Sequence, residues 1–342
     1  MGGGRKMSKG NEGQETKSKI MSPAEAVKTF IKNGQIIASG GFTITRKSYA
    51  IYYEMLRQGI KGIKLCHVTP GGPDELLAAG GCLAGITGCY VGDELVQVIH
   101  PYCSRQIKQG NIWHEDYSHY SMILRFKAAA MGLPFLPTHS QVGSDLINPE
   151  YDVERKVGLR GKDSRFPLEK FHVIKDPFWP EHQKVCLLPA LIPDVTVIHA
   201  QIVGEKGTAR IMGPLGGDVE EAYAAKKVIL TCDQIVPENY MSNDPNANQI
   251  PHHIIDAIVP LPYACHPVSS YMNYDYDAAF LREFHTAMGD DSKREKWLQE
   301  WVYEIKDHWH YLEKLGSERL SKLRANPAYA YNPDNDRSAY MN

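Results

Sequence analysis

The chain has 342 residues, 43% of them hydrophobic and 23% charged, and its 38 Lys and Arg nearly balance 40 Asp and Glu. Such a composition belongs to a soluble globular protein with a sizeable core, and the lack of a basic excess argues against nucleic-acid binding. No uninterrupted apolar run approaches the roughly 18–20 residues that cross a bilayer.

Residues 1–20 are rich in Gly, Lys, Glu and Ser without the apolar stretch of a secretory signal, and read as a disordered N-terminal extension. After it, Ser22-Pro23-Ala24-Glu25 supplies a capping Ser, a Pro at the first helical position and a Glu three residues past the cap, so a helix is predicted to about Lys32. Asn33-Gly34 stops it. The apolar run over residues 35–39 predicts a buried strand ending in the turn Gly40-Gly41. A helix over 48–57, a strand over 64–68, the loop Thr69-Pro70-Gly71-Gly72-Pro73-Asp74 and a helix over 75–79 follow, with Asp74 as the expected cap. Residues 120–131 predict another helix, closed by Gly132 and an extended, proline-containing exit. Residues 148–183 are charged and weakly periodic, which predicts irregular or short antiparallel structure on the surface. Strands return over 194–200 and 227–231, and residues 277–323 read as helices in which Trp297, Trp301, Trp309 and Tyr311 serve packing. The Tyr, Asn and Pro-rich residues 326–342 form a tail. Alternating strands and helices at this spacing predict an open, mostly parallel α/β sheet occupying 21–325, with ligands beyond the carboxyl ends of its strands.

Seven cysteines stand singly, with no CxxC pair, as suits inert thiols in a reducing cytoplasm. Cys265, beside His266, is the one placed next to a second reactive group. The pairs His252-His253 and His308 with His310 lack Cys or carboxylate partners at zinc spacing, so no metal is expected. Phosphate-loop, nucleophile-elbow and dinucleotide fingerprints are absent from the sequence.

Candidate chemistry gathers at the two glycine turns. In each, a missing Cβ lets a ligand approach the backbone, and outward N–H groups can hold an anion or a developing oxyanion. The same glycines also suit an ordinary strand-to-helix connection. Arg46 and Lys47 add positive charge beside the first turn, fit for a carboxylate or a phosphate, or a solvated helix start. Glu115, Asp116 and His119 precede a predicted helix, either as a cap cluster or as an acid and a base four residues apart.

The run Asn33-Gly34-Gln35-Ile36-Ile37-Ala38-Ser39-Gly40-Gly41-Phe42 resembles the signature of the first subunit of family I CoA-transferases. Arg46-Lys47-Ser48-Tyr49-Ala50, Glu115-Asp116-Tyr117-Ser118, Ala128-Ala129-Ala130 with Gly132-Leu133-Pro134-Phe135-Leu136-Pro137, Ile198-His199-Ala200-Gln201, Asp256-Ala257-Ile258-Val259 and Glu300-Trp301-Val302 are similar to the A subunits of the glutaconate type. The resemblance covers about residues 20 to 330. It implies helices on both faces of the sheet, a helical C-terminal segment and a partner B subunit in a cytoplasmic hetero-oligomer. It also implies a ping-pong exchange in which the nucleophile, a glutamate carried by the B subunit, attacks an acyl-CoA thioester, coenzyme A being substrate and no cofactor being bound permanently. This chain would then carry no catalytic residue and would line the pocket for a carboxylic acid, a dicarboxylic one by this likeness. The residues implied are Gly40, Gly41, Phe42, Arg46, Gly71, Gly72 and His266, the last in Ala264-Cys265-His266-Pro267, where the family has Gly-Ala-His-Pro.

Gly71-Gly72-Pro73-Asp74 is closer to the A chains of steroid ring-opening hydrolases, which share the fold. On that alternative Glu115 becomes the catalytic candidate. A decarboxylase on the same scaffold, and a purely structural subunit that completes its partner, are the remaining readings.

Overall fold

The computed structural model describes residues 18–93, 96–179, 181 and 184–335. The expected N-terminal extension therefore lies outside the described residues except for 18–20, where Ile20 bridges Ile258. The strands are β1 (Ile36–Ser39), β2 (Ile63–Cys66), β3 (Leu83–Gly88), β4 (Trp113–Asp116), β5 (Phe135–Thr138), β6 (His172–Ile174), β7 (Val185–Pro189), β8 (Val195–Gly204), β9 (Ala209–Arg210), β10 (Val228–Val236) and β11 (Ala257–Pro260). The helices are α1 (Pro23–Phe30), α2 (Tyr49–Arg57), α3 (Pro73–Ala79), α4 (Pro101–Lys108), α5 (His119–Ala130), α6 (Val153–Lys156), α7 (Asp218–Ala224), α8 (Glu238–Ser242), α9 (Ala278–Met288), α10 (Asp291–Leu298), α11 (His308–Leu315) and α12 (Ser317–Leu323).

Local chemistry places several of these. At α1 the Ser22 side chain accepts the Glu25 N–H while the Glu25 carboxylate accepts the Ser22 N–H, the reciprocal cap read from the sequence. In β1 all four residues are buried, and their alternation feeds two cores. Ile37 packs with α2 and the C-terminal helices, whereas Ile36 and Ala38 pack with Met122 and Phe126 of α5. A strand covered on both faces needs apolar residues at every position, which is why the run over 35–39 shows no polar alternation.

The main sheet has the order β11-β10-β8-β1-β2-β3-β4, all parallel, with β9 pairing antiparallel to β8. From β1 the chain moves outward through β2, β3 and β4; from β8 it moves the other way through β10 and β11. The strand order thus reverses between β1 and β8, and beyond the carboxyl ends at such a reversal is where open α/β sheets bind ligands. Among the described residues no helix is long and apolar enough to cross a membrane.

In the C-terminal segment Phe280, Trp297, Trp301 and Tyr311 are buried and meet edge to face, for example Phe280 and Trp301 at 4.8 Å and 79°. Trp309, by contrast, is exposed.

Two expectations are corrected. Glu115 and Asp116 belong to β4, not to a helix start, so Glu115 and His119 do not share a helical face. Residues 148–183 do pair antiparallel where β6 meets β7, yet the segment is not confined to the surface, since Asp152, Glu154, Arg160 and Lys170 are buried. Their charges are the reason: Arg160 joins Glu154 at 2.8 Å and Asp152 at 2.6 Å, and Lys170 reaches Glu115 at 2.5 Å. Ions removed from water persist only when paired in this way.

Candidate active-site crevice

At the strand-order reversal the loop leaving β1 is tied down completely. The Gly40 N–H donates to Val197 O at 3.0 Å, the Gly41 N–H to Asp218 Oδ1 at 2.7 Å and the Phe42 N–H to Thr45 O at 3.0 Å. The outward donors expected at this turn are therefore all occupied within the chain. Its glycines serve close packing: a Cβ on Gly40 would lie 2.5 Å from Ile198 Cγ2, and one on Gly41, where φ is +87°, 2.5 Å from Thr45 O.

Arg46, also left-handed with φ +58°, turns its guanidinium inward. It meets Asp218 Oδ2 at 2.8 Å and the carbonyls of Pro214 and Met212 at 2.5 and 3.4 Å, fully enclosed. Arg46 thus reaches the crevice only through Asp218, whose other oxygen holds the Gly41 N–H. Lys47 is enclosed as well, and burial pushes its ammonium down to about 8 against the nearby charges of Glu221 and Asp218. Burial likewise pushes Glu221 up to about 8, and the neighbouring Asp218 charge acts in the same direction.

The loop leaving β2 differs. The N–H groups of Gly71 and Gly72 have no acceptor among the described residues, although both residues are buried. Thr69 Oγ1 takes the Thr43 N–H at 3.0 Å, and the Tyr49 hydroxyl donates to Gly71 O at 3.4 Å. The two glycine loops of the sequence are therefore neighbours, and the unoccupied backbone donors sit on the second.

Asp74 does not cap α3 as its place in the sequence predicts. Gly72 holds the cap position, and Asp74 lies in the first turn with Oδ2 2.9 Å from His100 Nδ1, both buried. Beside them the His100 and His285 rings stack at 5.3 Å, and His285 Nε2 stands 3.6 Å from Asp93. No group of three His, Cys, Asp or Glu among the described residues is arranged to hold a metal ion. Burial acts against the His100 charge, but Asp74, Glu75 and Asp93 outweigh it and lift His100 from 6.5 to about 9. A raised pKa in the folded state means that the stabilisation is complete below about pH 6.5 and is lost as the pH passes about 9. We expect the stability difference between wild type and His100→Gln to shrink by about 3 kcal/mol across that window, measured by urea unfolding at stepped pH. A pH-independent difference would show that the pair is not what anchors this loop.

The remaining candidates lie apart from these loops. His266 is buried under the C-terminal helices, its Nδ1 2.6 Å from the Tyr311 hydroxyl and its Nε2 3.1 Å from Asp277. Glu115 is fully buried on β4, held by Lys170 and the Glu154 N–H. Cys265 is buried, and Cys89 is half-buried with Sγ 3.3 Å from His119 Nε2. Burial raises both thiols far above reactivity, Cys89 to about 12. His308, one of the paired histidines, approaches Pro262 O at 2.7 Å.

Asp218 and Glu221 escape sequence reasoning. Their one local signal is the glycine turn 213–217 running into an acidic helix start. Beside these loops Phe42, Leu215 and Tyr271 stay 38%, 39% and 40% exposed. Gly216 packs against the Phe42 ring and Gly213 against Tyr271, where a Cβ would lie 3.0 and 3.1 Å from the rings, so these residues form one apolar rim.

Against known proteins, residues 20–260 match the family described as Coenzyme A transferase. The chain is 36% identical over 317 residues to the A subunit of glutaconate CoA-transferase from Acidaminococcus fermentans, covering 93% of this chain and 98% of that one. The crystal structure of glutaconate coenzyme A-transferase from that organism matches with a TM-score of 0.86 over 93% of this chain and 99% of the matched chain. More distant likenesses are a structure of the decarboxylase AibA/AibB, with a TM-score of 0.66 at 26% identity over 82% of this chain and 99% of that one, and the cholesterol ring-cleaving hydrolase IpdA subunit of Rhodococcus jostii, 24% identical over 74% of this chain and 82% of that one.

Proposed function

This chain belongs to the coenzyme A transferase family, and from that premise we propose that it is the A subunit of a two-chain enzyme moving CoA between an acyl-CoA and a small carboxylic acid, a dicarboxylic one by its likeness to the glutaconate enzyme. The observation that carries this reading is the pair of unoccupied backbone donors at Gly71 and Gly72, buried beside an apolar rim at the strand-order reversal. Two N–H groups suit a carboxylate or the oxyanion of a thioester under attack. Gly40, Gly41 and Phe42 shape the wall of this acid pocket, with Arg46 supporting it through Asp218 and His266, outside the pocket, bracing the loop 264–270, whose Ser269 carbonyl accepts the Arg46 N–H.

The attacking carboxylate comes from the B subunit. Within the crevice Asp218 is engaged by Arg46 and the Gly41 N–H, and Glu221 is enclosed at 1% exposure, so neither is presented to a thioester as a nucleophile. The partner's glutamate adds to the thioester carbonyl, the C–S bond breaks and a mixed anhydride forms. The released CoA thiolate attacks the glutamyl carbonyl and frees the donor acid, leaving an enzyme–CoA thioester. The acceptor acid reverses both steps. An anhydride survives only where water is excluded, which an intersubunit contact over the Phe42, Leu215 and Tyr271 rim provides.

The test is co-expression with a candidate B chain and assay of CoA transfer to glutaconate, with borohydride trapping of the enzyme–CoA thioester on the partner. Transfer with trapping on the partner supports the proposal; opening of a cyclic acyl-CoA by water without transfer replaces it with the hydrolase. We further expect Phe42→Glu with Leu215→Glu to abolish co-purification of the two chains while lowering the unfolding temperature of this one only slightly, because both side chains keep 38–39% of their surface exposed. Retained co-purification would place the interface elsewhere.

A further inference from the structure

Lys47 has three N–H donors and finds three carbonyl acceptors: Thr69 O at 2.6 Å, Gly41 O at 3.2 Å and Ser39 O at 3.5 Å. Each belongs to a different piece of the crevice, namely the loop after β2, the loop after β1 and the end of β1 itself. An ammonium on a flexible stem directs its three donors tetrahedrally, so it can meet acceptors that converge on one point from different planes. The side chain is 1% exposed, so these carbonyls take the place of its water. Glu221, Asp218 and Asp74 are the negative groups around it and Arg46 the positive one, but no carboxylate of the described residues lies within ion-pairing distance. One oxygen of Glu221, Oε2, is buried without a hydrogen-bond partner. A long-stemmed cation held by backbone alone is a costly way to fill a core when a methionine would pack there.

We propose that Lys47 is a positioning residue of the transferase crevice: its buried ammonium locks the loop after β2 to the loop after β1, and so holds the Gly71 and Gly72 N–H groups where the substrate needs them. The link runs through the carbonyl of Thr69, two residues before Gly71, and the Lys47 stem passes so close to Gly71 that an added Cβ there would lie 3.3 Å from Cε. Glu221 acts as a remote counter-charge and not as a ligand. This inference rests on the reading of Gly71 and Gly72 as substrate donors.

Because Lys47→Met alone strands the Glu221 charge, the informative variant is Lys47→Met with Glu221→Gln, which removes both charges and keeps both volumes. Lys47→Gln, with two donors in place of three, serves as a second. Hydrogen exchange is followed in peptides covering residues 67–72 of the full chain, and kcat and KM are measured in the assembled enzyme. The expected result is a double variant with near wild-type thermal unfolding, exchange over 67–72 at least tenfold faster, and kcat lowered at least 30-fold with KM for the acid within threefold; Lys47→Gln falls between. Unchanged exchange overturns the proposal, as does a double variant that recovers kcat, since Lys47 would then merely balance charge. If the wild-type chains move no CoA at all, the functional reading fails, while the exchange comparison still decides whether Lys47 locks the loops.

Discussion

Gly71→Ala is expected to cost about 3 kcal/mol of stability, and in the assembled enzyme about 100-fold in CoA transfer. At φ +135° an L side chain is strained whatever the space around it, and here there is none: the new Cβ would lie 1.9 Å from Thr43 O and 2.7 Å from Thr43 C. Those atoms are backbone of the loop after β1, so relief requires the two crevice loops to move apart. Gly72→Ala meets a different obstacle, the Tyr49 hydroxyl at 1.9 Å. Deleting that hydroxyl with Tyr49→Phe should therefore restore part of the stability of Gly72→Ala and none of that of Gly71→Ala. Chemical denaturation of the four variants reads the outcome; equal rescue of both glycine variants would contradict the packing described here.

The second large effect is expected at Arg46 and Asp218. Their ion pair, at 2.8 Å, is fully enclosed, and Asp218 also carries the Gly41 N–H. Removing one member of a buried pair leaves an uncompensated charge and costs about 3–5 kcal/mol. Arg46→Met should fall in that range. Arg46→Lys should help little, because the guanidinium also donates to the carbonyls of Pro214 and Met212, a spread a single ammonium does not reproduce. Arg46→Met with Asp218→Asn removes both charges and should recover at least half of the loss, while the Asn side chain still accepts from Gly41. If the double variant is as unstable as the single one, the geometry of the three-way contact matters more than its charge balance.

Much of the frame was legible in the residues themselves. Ser22, Pro23 and Glu25 determine the start of α1 by contacts within one turn, and Ile36 and Ile37 announce a strand covered on both faces, since such strands carry no polar alternation. The tandem glycines mark strand ends, and the string of motifs from Asn33 to Trp301 identified the family over most of the chain. All of this depends on neighbours within a few residues.

What only the tertiary structure decided is which groups meet across the sheet. Asp74 looks like a cap from its place after two glycines, but His100, 26 residues on, claims its carboxylate. Glu115 and His119 look like an acid and a base on one face until β4 carries Glu115 into the sheet, where Lys170 covers it. Arg46 and Lys47 read from the sequence as charges offered to a substrate, whereas Asp218 and three backbone carbonyls draw them inward. In each case a charged side chain has two ways to be satisfied, by water and ligand or by a distant residue of its own chain. A sequence names the charge and its local turn; burial and long-range pairing decide which partner it has.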